Sequence, residues 1–287
     1  MTTPPDPSEF TQAGFLLRLS ARPVVLAGGG VNEAGAFDEL ARIAETLDAP
    51  VVTTWKGKGA ISDRNPFSAG ALFGTPEART ALESADTVLA LGTTFDAGPG
   101  EPDHNLPAQM IQIDRDPAQI GRRYPLRLGI AGDVRQALAG ILTALEAPNP
   151  LKGVADRTSI APADRTGPGR AAEWRAGAAT RGAAQGPEQM AALQAIRQAL
   201  PDDTSILHRD RSSAGWFLVF FEVPEPGTWV ASTDSGFPVA EAAAAAGGVP
   251  GALVSICEED ELIPHLSELE GLEEPGDLVF LVFTDRS

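Results

Sequence analysis

The chain has 287 residues, 43% of them hydrophobic, which is enough for two ordinary domains with buried cores and excludes a globally disordered protein. Its 39 aspartates and glutamates outnumber its 22 lysines and arginines, and the formal net charge of −17 argues against nucleic acid as a partner. Because the sequence has no apolar run of about 18 residues and no signal-peptide pattern, we expect a cytoplasmic protein without a membrane span.

The sequence pattern of the first 47 residues predicts a tail, a short helix, a strand, a turn and a second helix. We expect a disordered tail over residues 1–12 and a short helix near residues 10–20. The apolar run 24–27 predicts a buried parallel strand, the three glycines at 28–30 predict a tight turn, and the periodic run 36–47 predicts an amphipathic helix. This unit is typical of α/β nucleotide-binding folds, where such glycines leave N–H groups free for a phosphate at a helix start. The spacing is not a full Gly-x-Gly-x-x-Gly, so an ordinary tight turn remains the alternative.

Strands and helices continue to alternate as far as residue 145. Further strands are predicted at 50–54, 87–92, 110–114 and 128–133, with helices at 77–84 and 134–145. This alternation predicts a Rossmann-like α/β domain with a parallel sheet and right-handed crossovers. Ligands of such sheets bind at the carboxyl ends of the strands. The candidate ligand-binding residues at that edge are Gly28, Gly29, Gly30, Thr54, Gly92, Thr94, Asp96, Asp114 and Asp133.

The motifs in this region resemble, in the same order, the central domain of the thiamine-diphosphate-dependent enzymes, and most of all that of acetolactate synthase. The matching segments are Arg-Pro-Val-Val-Leu-Ala-Gly-Gly-Gly at 22–30, Ala-Pro-Val-Val-Thr-Thr at 49–54, Gly-Lys-Gly-Ala at 57–60, Ala-Asp-Thr-Val-Leu-Ala-Leu-Gly-Thr-Thr-Phe-Asp at 85–96, Ile-Asp-Arg-Asp-Pro-Ala-Gln-Ile at 113–120 and Gly-Asp at 132–133. The resemblance covers about residues 15–145.

This resemblance implies a nucleotide site in the central domain. In relatives the domain can hold FAD or an adenine nucleotide, with the glycine turn against the ligand and the positions of Asp114 and Asp133 near its adenosine. The FAD-binding members usually carry an arginine where this chain has Thr94, and the loss of that cation weakens a pyrophosphate site. Many relatives keep the domain empty, so a scaffold is the alternative.

The composition of the chain changes at residue 148. Residues 148–187 are rich in Ala, Gly, Arg, Pro and Thr, and Trp174 is their only aromatic residue. This composition predicts a linker between a central domain at 13–147 and a second domain at 188–287. Strand and helix patterns resume after the linker and predict a smaller α/β unit.

The second unit resembles a degenerate and truncated form of the family's diphosphate-binding domain. The resemblance implies thiamine diphosphate and Mg²⁺ as cofactors, with Glu258 and Asp285 as metal ligands through their carboxylate oxygens. Cys257 and Glu259 replace the glycines that let a diphosphate approach the backbone, so we expect weak or no binding of thiamine diphosphate by this chain alone. A solvated acidic turn at 258–261 is the alternative.

Two functions from different classes follow. The first is an acetolactate synthase-like subunit for 2-oxo acid decarboxylation or carboligation, which needs a partner chain for the family's N-terminal domain, since the sequence shows no counterpart. The second is a non-catalytic relative that acts as a nucleotide-binding, regulatory or assembly module. We also expect self-association or binding of a related chain. A single cysteine, Cys257, excludes an internal disulfide, and one cysteine with three scattered histidines (His104, His208 and His265) excludes a Cys/His metal cluster. We expect no catalytic role for the histidines.

Overall fold

The fold was analysed in a computed structural model. It describes residues 6–95, 106, 109–148, 166–199, 202–203, 206–209 and 219–232. The predicted strands and helices beyond residue 232 lie outside these described residues. No helix in the described ranges is long and apolar enough to cross a membrane.

A parallel six-stranded sheet forms the centre of the first unit. Its strands are β1 (Pro23–Ala27), β2 (Val51–Thr53), β3 (Ser68–Gly70), β4 (Thr87–Leu91), β5 (Met110–Asp114) and β6 (Leu128–Ala131). They lie in the order β3-β2-β1-β4-β5-β6, so the chain reverses its direction across the sheet between β1 and β4. Val25 of β1 lies opposite Val51 on one side and Leu89 on the other. The reversal opens a crevice at the carboxyl ends of β1 and β4.

Helices cover both faces of the sheet. They are α1 (Pro7–Leu19), α2 (Gly29–Ala34), α3 (Phe37–Leu47), α4 (Pro76–Glu83), α5 (Val134–Glu146), α6 (Gly167–Gln185) and α7 (Pro187–Ala199), with a 3-10 turn at Pro117–Gln119. Because strand side chains alternate, Val25 and Ala27 pack in the core under α1, α3 and α5, whereas Val24 and Leu26 pack in the core under α4 and α6. The predicted α/β fold with a parallel sheet is confirmed.

The helix α1 begins inside the segment that the sequence assigned to a disordered tail. Asp6 caps it: the Ser8 N–H donates to the Asp6 carboxylate at 2.9 Å, and the Glu9 carboxylate accepts the Asp6 N–H at 3.2 Å. This reciprocal capping box, with Pro7 at the first helical position, fixes the start of the helix. Its pattern, Asp-Pro-Ser-Glu, is present in the sequence and could have placed the helix correctly.

The helix α6 lies inside the segment predicted as a linker, so the structure differs from that prediction over Gly167–Gln185. The helix packs Ala171, Trp174 and Ala178 into the core beneath β1 and β4. Arg181 donates to both carboxylate oxygens of Glu77 in α4, at 3.0 and 3.1 Å. Small residues and arginines therefore make most of the contacts between this helix and the sheet domain. A search for periodic large apolar side chains does not predict such a helix.

The described part of the second unit contains α7 and a parallel pair of strands. These are β7 (Ile206–Arg209) and β8 (Trp229–Ser232), with Ile206 opposite Trp229. This unit meets the first one at the loop after β2, because the Asp63 N–H donates to the Val223 carbonyl at 2.9 Å. The strand and helix patterns predicted after the linker are represented here by α7 and β7.

Candidate functional site

A cleft of about 270 Å³ lies at the carboxyl ends of the central strands. Of the nine residues that the sequence predicts for this site, seven line it: Gly29, Gly30, Thr54, Gly92, Thr94, Asp114 and Asp133. Gly28 is not a lining residue, and Asp96 lies outside the described residues. The topology thus brings together, in one cavity, residues that end or follow five neighbouring strands of the sheet, in the order β2-β1-β4-β5-β6.

The glycine turn after β1 has a different role from the one that we expected. The Gly28 N–H donates to the Leu91 carbonyl at 2.8 Å, and the Gly30 N–H donates to the Gly92 carbonyl at 3.0 Å. These two N–H groups are therefore not free to bind a phosphate. A Cβ atom at Gly28 would lie 2.3 Å from the Gly92 carbonyl oxygen, so glycine is needed here for the close contact between the turns after β1 and β4.

Two carboxylates stand at the β5 and β6 side of the cleft. Asp114 is only 9% exposed, and its burial, followed by the nearby charges of Asp116 and Glu33, raises its pKa. One oxygen of Asp114 accepts the Asp116 N–H at 2.9 Å, and one oxygen of Asp133 caps α5 by accepting the Gln136 N–H at 3.0 Å. The other oxygen of each carboxylate receives no hydrogen bond from any residue in the described ranges, so both are acceptors for a ligand.

The turn after β4 is held in an unusual conformation next to the cleft. Phe95 has a positive φ of 58° although it is not glycine, and it is buried. Its ring meets Tyr124 edge to face at a centroid distance of 5.1 Å, and its N–H donates to the Thr93 hydroxyl at 3.0 Å. Burial of Phe95 thus compensates for the backbone strain and places Thr93 and Thr94 in the cleft wall.

Two cations among the described lining residues, Lys56 and Arg115, are not among the residues predicted from the sequence. Arg115 follows β5 and forms an ion pair with Glu33 at 2.8 Å. Lys56 follows β2, and its ammonium lies 5.0 Å from the centre of the Trp55 ring. Their positions directly after predicted strands were the available signal, because side chains there reach the ligand edge of the sheet.

The predicted metal ligands cannot be placed. Glu258 and Asp285 lie outside the described residues, as do Cys257 and Glu259. Within the described ranges, no three His, Cys, Asp or Glu side chains are close enough to hold a metal ion. Among the histidines, His208 lies in β7, and the other two are outside the described part of the chain.

Comparison with known proteins identifies the first unit. The family model for the central domain of thiamine pyrophosphate enzymes matches residues 11–141. The first unit is therefore similar to the central domain of that enzyme family. This finding confirms the resemblance found in the sequence motifs of this region.

Relatives that match the first unit include acetolactate synthases. A Methanocaldococcus jannaschii protein assigned as an acetolactate synthase large subunit is 39% identical over 143 residues, which are 48% of this chain and 24% of that protein. The acetolactate synthase of Arthrospira platensis is 36% identical over 145 residues, which are 48% of this chain and 25% of that protein. The chain thus matches about a quarter of the length of these relatives.

A solved structure supports the same fold. A protein of Mycobacterium smegmatis assigned to the thiamin diphosphate-dependent enzymes superposes with a TM-score of 0.70 and 20% identity. The superposition covers 98% of this chain and 53% of that one. At this identity the likeness establishes the fold alone and leaves the activity of this chain to be argued from the site.

Proposed function

We propose that this chain is an acetolactate synthase-like subunit whose central domain binds an adenine nucleotide in the strand-end cleft. One observation supports this most directly. Asp114 and Asp133, at the ends of neighbouring strands, each satisfy a backbone N–H with one oxygen and keep the other without a hydrogen bond from the described residues. Two such acceptors at the ligand edge of a parallel sheet suit ribose hydroxyls and an adenine amine.

The kind of nucleotide follows from the rest of the cleft. Thr94 contributes a hydroxyl where FAD-binding relatives carry an arginine, so the cation that would face a dinucleotide pyrophosphate at that place is missing. A cleft of about 270 Å³ is at the small end of ligand pockets, which also favours a mononucleotide. We therefore expect an adenosine diphosphate-type ligand to bind more tightly than FAD.

Substitution by asparagine tests the two carboxylates sharply. Asp114→Asn and Asp133→Asn keep the oxygen that accepts the backbone N–H, and they place an amide donor where the acceptor was. We expect each variant to lose most of the thermal shift that ADP causes in the wild type, with the fold intact by circular dichroism. Glu45→Gln removes one exposed charge on α3, which does not line the cleft, and serves as the control. If ADP, FAD, NAD and coenzyme A all leave the wild-type melting temperature unchanged at millimolar concentration, the nucleotide proposal fails.

The catalytic part of the proposal has a separate test. With thiamine diphosphate and Mg²⁺ bound, the cofactor would supply the carbanion that family members use on 2-oxo acids, and a partner chain would supply the N-terminal domain. The chain should therefore form no acetolactate from pyruvate alone, and should do so with its partner. If co-purified partners give no activity while the nucleotide still binds, the alternative of a non-catalytic binding module stands.

A further inference from the structure

We propose that Lys56 is the anion-recognising residue of the cleft and fixes the direction in which a nucleotide lies, with its phosphates at β2 and its adenosine at β5 and β6. This inference rests on the proposed nucleotide site and names the group that selects phosphate over an uncharged nucleoside.

The charges of the cleft favour Lys56 over the other cation. Arg115 forms an ion pair with Glu33 at 2.8 Å, which offsets its charge. Lys56 lines the same cleft, and none of the described carboxylates lies within 4 Å of its ammonium. Four carboxylates also line this cavity, contributed by Glu33, Asp114, Asp116 and Asp133. Three of them, Asp114, Asp116 and Asp133, lie at the ends of β5 and β6 or just after them. An anionic group is therefore repelled at that side of the cleft and attracted by Lys56 at the β2 side.

The backbone of Lys56 is held firmly against the glycine turn. The Asn32 side-chain amide donates to the carbonyl oxygens of Lys56 and Lys58, at 2.9 and 3.0 Å. The Lys56 Cβ lies 3.0 Å from where a Cβ atom on Gly29 would stand, so the side chain leaves the backbone directly beside the turn after β1. The Trp55 ring, 5.0 Å from the ammonium, keeps the charge over the cleft wall by a cation–π contact.

The distance between the two ends of the site fits a nucleoside diphosphate. The Lys56 side chain leaves the backbone beside the turn after β1, and in the sheet order β1 and β5 are separated only by β4, which makes two strand spacings. At about 4.8 Å for each spacing, the edge from that turn to Asp114 spans about 10 Å. An extended chain from ribose to a terminal phosphate bridges such a gap, whereas adenosine alone reaches only the Asp114 end.

Calorimetric titration of the full-length chain with ADP and with adenosine tests this assignment. In Lys56→Gln we expect the affinity for ADP to fall about tenfold or more, since a hydrogen bond to a charged group is lost, and the affinity for adenosine to change less than about twofold. Raising the salt concentration should weaken ADP binding to the wild type more than to the variant. Arg42→Gln, on α3 and outside the cleft lining, controls for the loss of a positive charge. Arg115→Gln is the competing variant inside the cleft, and because Glu33 offsets its charge we expect it to lose less ADP affinity than Lys56→Gln.

The outcomes separate this inference from the proposed function. An equal loss of ADP and adenosine affinity in Lys56→Gln would assign Lys56 a structural role and overturn the inference. So would a larger loss of ADP affinity in Arg115→Gln. Equal wild-type affinities for ADP and adenosine would also overturn it and leave an adenosine site intact. If the wild type binds neither compound, both the proposed function and the role of Lys56 are refuted.

Discussion

A buried ion pair in the loop after β2 lies where the second unit contacts the first, and it allows a quantitative prediction. The Lys58 side chain is 1% exposed and its ammonium lies 3.3 Å from the Asp63 carboxylate, which is 15% exposed. The same carboxylate oxygen accepts the Val223 N–H at 2.8 Å, and the Trp229 ring centre lies 5.4 Å from the ammonium. We predict that Asp63→Asn destabilises the protein far more than Lys58→Met does.

The two variants should differ in stability because each leaves a different partner of the ion pair buried and without its counter-ion. At an effective dielectric constant of about 20, two unit charges 3.3 Å apart attract by about 5 kcal/mol, which offsets several kcal/mol of desolvation. Asp63→Asn keeps an acceptor for the Val223 N–H but leaves Lys58 charged, buried and without its counter-ion, at a cost of about 3 kcal/mol. Lys58→Met keeps an apolar stem against Trp229 and leaves a carboxylate that water and one N–H can solvate, at a cost of about 1 kcal/mol.

Urea unfolding followed by tryptophan fluorescence and by circular dichroism measures the difference. The double variant Lys58→Met with Asp63→Asn removes both charges and should recover most of the stability lost in Asp63→Asn, giving a favourable coupling in the double-mutant cycle. Glu222→Gln removes an exposed carboxylate from the neighbouring ion pair with Arg64 and controls for surface charge, so we expect a cost below about 1 kcal/mol. The reasoning is refuted if Lys58→Met costs as much as Asp63→Asn, or if the double variant is less stable than Asp63→Asn.

Three further predictions concern the cleft and α6. Gly57→Ala should cost about 2 kcal/mol or more in urea unfolding and abolish the ADP response, because its Cβ would lie 2.1 Å from the Ala27 carbonyl oxygen. Burial raises the folded-state pKa of Asp114, so the stability of the wild type falls as the pH rises from the ordinary carboxyl pKa to the raised one, and it stays lower above that. Asp114→Asn should therefore be more stable than the wild type at neutral pH. The difference in stability between the two proteins should close in acid. Burial alone would raise the pKa of Glu77, but hydrogen bonds from Arg181, from the Glu77 backbone N–H and from Thr75, together with the charge of Arg181, outweigh it and lower that pKa. Arg181→Gln should therefore cost about 1–2 kcal/mol at neutral pH and less in acid, as pH-dependent melting would show.

The central sheet could be predicted because its inner strands β1, β4 and β5 are buried on both faces and are mostly apolar. The segments of β1, β4 and β5 have continuous buried runs, and glycine or polar residues follow each of them. The edge strand Ser68–Gly70 was not predicted, since three small residues carry no hydrophobic pattern and are held by pairing with β2.

The sequence is enough to predict where the candidate site lies, but not the hydrogen bonds and ion pairs within it. Parallel topology is enough to bring Asp114 and Asp133 to one edge, and both line the cleft. The partners of Gly28 and Gly30 depend on how closely the turn after β4 approaches the turn after β1, which no local pattern encodes. The charge balance of the cleft likewise depends on the ion pair between Arg115 and Glu33, two residues distant in the sequence.

The loop after β2 connects the cleft with the second unit. Lys56 stands in the cleft wall, Lys58 is buried against Trp229, and a single residue, Gly57, separates them. The Asn32 amide holds the carbonyl oxygens on both sides of Gly57, so one side chain fixes the backbone of both lysines. A change at Asn32 or Gly57 therefore affects ligand binding and stability together. Lys56→Gln and Lys58→Met leave the backbone anchors in place, and because of this they can separate charge recognition in the cleft from the attachment of the second unit.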